Sequence, residues 1–111
     1  MKGIGGNIKA VLQVRTIASN AIGEQVETWQ DVQTLEGWLD LSSGGAQYSH
    51  NAKIQESTHY MIADYMPLDK RIEAETARAV INGKIYDITL IDNPMELNAQ
   101  LEIYLKYTGG R

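Results

Sequence analysis

Apolar and polar residues alternate with a period of two along most of this chain, a pattern that predicts strands rather than helices. From Lys9 to Ile17, Ala10, Leu12, Val14 and Thr16 fall on one face, with Lys9, Val11, Gln13 and Arg15 on the other. Ser19-Asn20-Ala21-Ile22-Gly23 then supplies turn chemistry. A second alternation, Glu24 to Leu35, sets Val26, Thr28, Gln30 and Val32 against Glu27, Trp29, Asp31 and Gln33, which suits a sheet with one wet face or an edge. Gly37-Trp38-Leu39-Asp40-Leu41 resumes as an apolar strand, and Trp38, with Leu39 and Leu41 beside it, is expected in the core. Glu56 to Tyr65 alternates again, Thr58, Tyr60 and Ile62 against Ser57, His59, Met61 and Ala63, until Met66-Pro67-Leu68-Asp69-Lys70 breaks it.

Arg78 to Asp92 reads as a β-hairpin closed by Asn82-Gly83. An Asn-Gly pair favours a two-residue type I′ turn and fixes the register as Ile81 opposite Lys84. Counting back, Val80 meets Ile85, Ala79 meets Tyr86, Arg78 meets Asp87 and Ala77 meets Ile88. Alanines facing Tyr86 and Ile88 suit a crowded core face. Arg78 and Asp87 form an opposite-charge cross-strand pair worth roughly 0.2–1 kcal/mol, a device for register rather than an active site. Asp92-Asn93-Pro94-Met95-Glu96 is a further loop, and Leu97 to Thr108 closes the pattern with Leu101, Ile103, Leu105 and Tyr107 on one face. The fold class expected is mainly β, a small antiparallel β-barrel or sandwich with a long loop and at most one short helix. It comprises one β domain over residues 9–108, with flexible tails at 1–8 and 109–111.

The least strand-like interior stretch is Ser42 to Lys53, read either as a loop or as one turning into a short helix around Gln47 to Gln55. Long loops inside compact domains are usually functional or disordered. The candidate site is therefore this segment: Ser42, Ser43, Gly44, Gly45, Ala46, Gln47, Tyr48, Ser49, His50 and Asn51.

Composition narrows the chemistry. The 111 residues carry a net charge of −4, which repels phosphate backbones, and Lys70-Arg71 is the one adjacent basic pair. Cysteine is absent, so disulfides, thiolate metal sites and Cys nucleophiles are excluded. No run approaches the roughly 20 apolar residues of a membrane helix, and the N-terminus lacks the h-region of a secretory signal. His50 and His59 show neither HxH nor HExxH spacing, so no metal ligand set is expected. Ser42 and Ser43 lack a nucleophile-elbow context, and Gly3, Gly5 and Gly6 lack the strand and Gly-Lys-Ser/Thr of a phosphate loop. Trp29 and the tyrosines could stack on bases, yet the basic interleaving of an oligonucleotide-binding barrel is missing. Neither an enzyme nor a cofactor is expected.

The order of elements, with GWLDL, a glycine-containing loop, THYMIADY, RIEAE, INGKIYDITLID and a closing LEIYLKY, resembles the head-tail joining, or head closure (stopper), proteins of long-tailed phages and prophages. The resemblance spans about Ile8 to Tyr107 and is sharpest at Gly83, Tyr86 and Ile88, followed by Ile91 and an acidic turn; Ala63 and Asp64 stand where relatives commonly carry an arginine. It implies a structural subunit that closes the DNA-filled head below the portal and adaptor and offers a docking surface to the tail. The subunit would form a homo-oligomeric ring when assembled, be a monomer when free, and sit in the virion connector after assembly in the host cytoplasm. It further implies that Ser42 to Lys53 projects into the channel as a gate, with DNA passing and no sequence-specific binding. A tail-completion or adaptor protein of the same assembly is the alternative within that class, and an oligonucleotide-binding barrel the alternative outside it.

Overall fold

A computed structural model describes residues 6–41 and 57–108. Among these described residues six strands form in chain order: β1 (Ile8–Ser19), β2 (Gln25–Leu41), β3 (His59–Asp64), β4 (Ala77–Ile81), β5 (Lys84–Asp92) and β6 (Gln100–Tyr107), with a short 3-10 turn at Pro94–Glu96. Every neighbouring pair is antiparallel, and the order β1-β2-β3-β6-β5-β4 closes on itself as a barrel. Within the ring, closure removes the unpaired edges that an open sheet would present.

Inward positions follow the alternation read from the sequence. Leu12, Leu35, Met61, Ile81, Ile88, Ile103 and Leu105 are the largest fully buried side chains. Burying each stabilises the fold by roughly 1.5–3 kcal/mol relative to leaving it in water. Ala77, Ala79, Tyr86 and Ile88 are all buried, so the small residues of β4 make room for the large ones of β5. The hairpin has the register counted from its turn, Ile81 to Lys84 through Arg78 to Asp87, and both turn residues take positive φ, 53° at Asn82 and 79° at Gly83.

Three boundaries differ from the sequence reading. β1 starts at Ile8, and the amide of Asn7 already donates to the Gly37 carbonyl at 3.0 Å, so the chain is tied down before residue 9. β2 is one strand of 17 residues rather than two, because Gly37 pairs with Ile8 on one side and Ala63 on the other and carries the ladder through. β6 begins at Gln100, since Leu97 ends the 3-10 turn.

Two bulges shape the ring. Between Leu12 and Gln13 of β1, partners jump from Gln33 to Asp31, leaving Val32 as the extra residue. The bulge bends β2 and frees inward-facing Gln33 to hold the β3–β4 connection: its Nε2 donates to the Pro67 carbonyl at 3.1 Å, and its Oε1 accepts from the Asp69 amide at 2.8 Å. Ile72 of that connection is buried, and Tyr65, Leu68 and Ala74 pack beside it against the core, so the segment plugs one end of the barrel. In β5, Thr89 is the extra residue between the Ile88–Leu105 and Leu90–Tyr104 pairs. Its hydroxyl donates to the Tyr104 carbonyl at 3.0 Å and shares a buried 2.6 Å hydrogen bond with Ser57.

Candidate functional site

The β1–β2 hairpin outgrows the barrel. β1 pairs with β4 only from Ala10 to Val14, and β2 pairs with β3 only from Gly37 to Leu41, whereas β1 and β2 pair with each other from Ile8↔Gly37 to Ser19↔Gln25. Beyond Val14 the two strands continue as a free ribbon for five further pairs, roughly 17 Å at strand rise. No apolar core supports it there, and polar links hold it together. The hydroxyls of Thr16 and Thr28 meet at 2.6 Å, and Arg15 reaches Glu27 across the ribbon at 3.3 Å, an exposed ion pair.

Asn20 closes the tip. Its Oδ1 accepts from the amides of Ile22 at 3.0 Å and Glu24 at 2.9 Å, while Gly23 takes the positive φ of 85° that the turn requires. This side-chain-to-backbone turn holds Ile22 out in solvent, 79% exposed, with Ile17 and Val26 also exposed along the ribbon. At the root, Trp29 lies beneath the Arg78 guanidinium, whose Cζ is 4.0 Å from the ring centroid. Arg78 Nε donates to Gln13 Oε1 at 2.7 Å, and Gln13 Nε2 donates to Asp31 Oδ1 at 2.7 Å. Beside this root, Val14, Thr16, Gln30, Arg71 and Thr76 border a cleft of about 350 Å³.

The register places the ribbon, the plug and the β5–β6 connection at the same end of the barrel. That connection carries Met95 (87% exposed) and Leu97 on a strained backbone, with positive φ at Met95, Glu96 and Asn98. An Asn93–Asn98 clasp holds it: Asn93 Nδ2 donates to Asn98 Oδ1 at 2.7 Å, and the Asn98 amide donates back to Asn93 Oδ1 at 3.1 Å. Non-glycine residues in left-handed conformations persist only where their surroundings hold them, and such outliers cluster at functional sites. The opposite end has the Asn82-Gly83 turn, exposed Leu41, and an aromatic cluster in which His59 meets Tyr86 edge-on at 5.1 Å and Tyr107 at 6.4 Å.

Of the residues singled out from sequence, Ser42, Ser43, Gly44, Gly45, Ala46, Gln47, Tyr48, Ser49, His50 and Asn51 lie outside the described residues. Arg78 and Asp87 are directly opposite, and the guanidinium is turned toward Trp29 and Gln13 on the far side of its strand. Trp38 is not in the core. It pairs with Ile62, is 49% exposed, and points outward because its neighbours Gly37 and Leu39 occupy the inward positions opposite Ala63 and Met61. The parity of the strand overrides the apolar surroundings in sequence. The sequence reading also missed the ribbon; its signal was an alternation at residues 15–19 and 25–29 in which Ile17, Val26 and Trp29 are too few and too scattered to line either face. Among the described residues no group of three His, Asp or Glu side chains could hold a metal, and no helix is long and apolar enough to cross a membrane.

No curated protein matches the chain. A solution structure of a Shigella flexneri 2a protein superposes with a TM-score of 0.68 at 23% identity, over 97% of each chain, which establishes a shared fold. The family model for phage head completion proteins matches residues 1–106. This closed barrel with a projecting two-stranded ribbon and apolar side chains exposed at both ends, matched almost end to end by that family model, belongs to the phage head completion protein family, structural components of phage head assembly.

Proposed function

We propose that the protein is a non-enzymatic connector subunit that closes the DNA-filled head below the portal and adaptor and gives the tail its docking surface. The observation that carries this reading is the distribution of exposed apolar side chains over both ends of the barrel. Ile22, Met95 and Leu97 stand at the ribbon end, and Leu41 and Tyr107 at the other. A piece seated between two assemblies needs contacts facing both ways, and well-presented apolar anchors are what such contacts use. Copies related head to tail around the channel build the ring, with DNA passing through and no sequence being read. Ser42 to Asn51, which is uncharged apart from the titratable His50, is proposed as the channel-facing gate in a chain whose net charge of −4 repels rather than grips DNA. The subunit assembles in the host cytoplasm and ends in the virion connector.

The test mixes purified protein with tail-less heads of the cognate phage, followed by pull-down and negative-stain imaging. Added density at the portal vertex with DNA retained supports closure. Capping of isolated tails, with heads ignored, assigns the protein to tail completion instead. Deleting Gly44 to Ser49 tests the gate separately: the fold is expected to survive while heads leak DNA, and tight heads from that deletion would remove the gating role.

A further inference from the structure

The outer face of β2, β3 and β6 continues onto the end of β5 as an ordered grid of aromatic and acidic side chains. One row runs Trp38, Ile62, Glu102 and Asp92 across the four strands. The next runs Asp40, Tyr60, Tyr104 and Leu90. On the other flank Asp64 stands opposite Gln100. The two rows and this flank hold no lysine or arginine.

The grid is arranged against the stability of the free protein. Glu102 and Asp92 are direct cross-strand partners, and like charges so placed are destabilising. Among the described residues neither carboxylate makes an ion pair with a base. Glu102 accepts only from Gln100 Nε2 at 2.8 Å and the Tyr104 hydroxyl at 3.4 Å, which orient it without neutralising it. Burial first, and the Glu102 carboxylate second, push the Tyr104 phenol above its ordinary value, in keeping with this negative surround. Beside these charges Trp38 is 49% exposed, and the rings of Tyr60 and Tyr104 are 6.1 Å apart and tilted by 32°, so π faces and carboxylates share one surface.

We propose that this face is the docking site for an arginine-bearing segment of a neighbouring protein in the assembly. A guanidinium is the group that uses both halves of the grid, stacking on an indole or phenol face while its N–H fork reaches an adjacent carboxylate. Phosphate-bearing ligands are repelled by the same carboxylates. A lysine would use the charge but match the flat rings less well. That the partner is a neighbour in the head-tail joint rests on the proposed function; the chemistry of the face does not.

The test is NMR titration of the full ¹⁵N-labelled chain with a capped Arg-Gly-Arg peptide, its citrulline counterpart, and single-stranded oligothymidylate. With the arginine peptide, saturable shifts are expected at the Trp38 indole and the amides of Tyr60, Glu102 and Tyr104, weakening as salt is added. Trp38→Ala and, separately, Glu102→Gln should each weaken binding about threefold or more, as loss of one cation–π or charge partner predicts. Both positions are at the surface, and the spectrum itself reports whether each variant is folded. Equal shifts from the citrulline peptide, shifts centred elsewhere, unchanged affinity in folded variants, or preferential binding of the oligonucleotide would each overturn the proposal. If wild-type protein ignores heads and tails yet binds the arginine peptide here, the connector reading fails while the face's chemistry stands.

Discussion

The Arg78 guanidinium lies over the Trp29 ring, with its Cζ 4.0 Å from the centroid, and this contact fastens the projecting ribbon to the barrel wall. Arg78 belongs to a strand of the closed ring, whereas Trp29 begins the part of β2 that leaves it. A half-exposed cation–π contact contributes about 0.5–1 kcal/mol. Arg78→Ala, which also removes the bond to Gln13, should lower global stability by at least that amount and raise amide exchange at residues 15–19 and 25–29 more than in β6. Asp87→Ala, which removes the charge opposite Arg78 on the other side, should leave ribbon exchange unchanged. Equal effects from the two variants would return the ribbon's anchoring to the Arg78–Asp87 pair.

Gly37 and Gly83 are both glycines in or beside strands, yet they are required for different reasons. A Cβ at Gly37 would collide with the Ile62 carbonyl and come within 2.9 Å of Met61 Cε, and Gly6 packs against the same glycine's backbone. A flexible methyl can move aside but a backbone carbonyl in a ladder cannot, so Gly37→Ala should cost about 1–3 kcal/mol, the range for overpacking a core. At Gly83 a Cβ would meet nothing within 4 Å, but φ is 79°. Gly83→Ala should therefore cost about 1–2 kcal/mol from conformation alone. Urea unfolding measures both, and a double-mutant cycle with Met61→Ala, itself a costly core truncation, should show coupling to Gly37→Ala and none to Gly83→Ala.

What was readable in the sequence follows from what each signal encodes. The Asn82-Gly83 hairpin was legible down to its pairing because turn type fixes register locally, and the inward set of β6 was legible because Leu101, Ile103 and Leu105 alternate without interruption. Trp38 was misplaced because the nearby Leu39 and Leu41 were weighed above the parity that Leu39 imposes. The ribbon was hidden for a different reason. Where a strand stops being part of the barrel depends on how far its neighbours extend, and the start of β4 at Ala77 is not written in residues 15–29. The outward grid was equally hidden, since Trp38, Tyr60, Glu102 and Asp92 become neighbours only through long-range register.

Asp69 sets an acid limit on the plug. Arg71 donates to both oxygens of its carboxylate, Nε at 2.9 Å and Nη2 at 3.0 Å, and its backbone amide donates to Oδ1 at 2.9 Å as well. These bonds, side chain first, lower the Asp69 pKa from 3.8 to about 2. An acid depressed in the folded state binds fewer protons there than when unfolded. Its contribution is thus fully present above pH 3.8 and is lost as pH falls toward about 2. Asp69→Asn should flatten the unfolding midpoint between those limits and leave its pH dependence near neutrality unchanged. Superimposable acid limbs for wild type and variant would show that the plug's ion pair does not couple to folding.

Ile22 separates assembly from stability. The Asn20 side chain and Gly23 hold the tip by bonds that do not involve the Ile22 side chain, which is 79% exposed. An exposed substitution of this kind usually changes stability by no more than about 0.5 kcal/mol, so Ile22→Asp should fold as the wild type does. An apolar anchor buried at an interface is worth about 2 kcal/mol or more when lost, so the same change should weaken attachment to heads about thirtyfold. Asn20→Ala makes the complementary case: it keeps the isoleucine but removes the acceptor for two tip amides, and should weaken attachment less while raising exchange at residues 20–24. If Ile22→Asp attaches normally and Asn20→Ala does not, the tip serves through its backbone shape rather than its apolar side chain, and the exposed isoleucine is not the anchor.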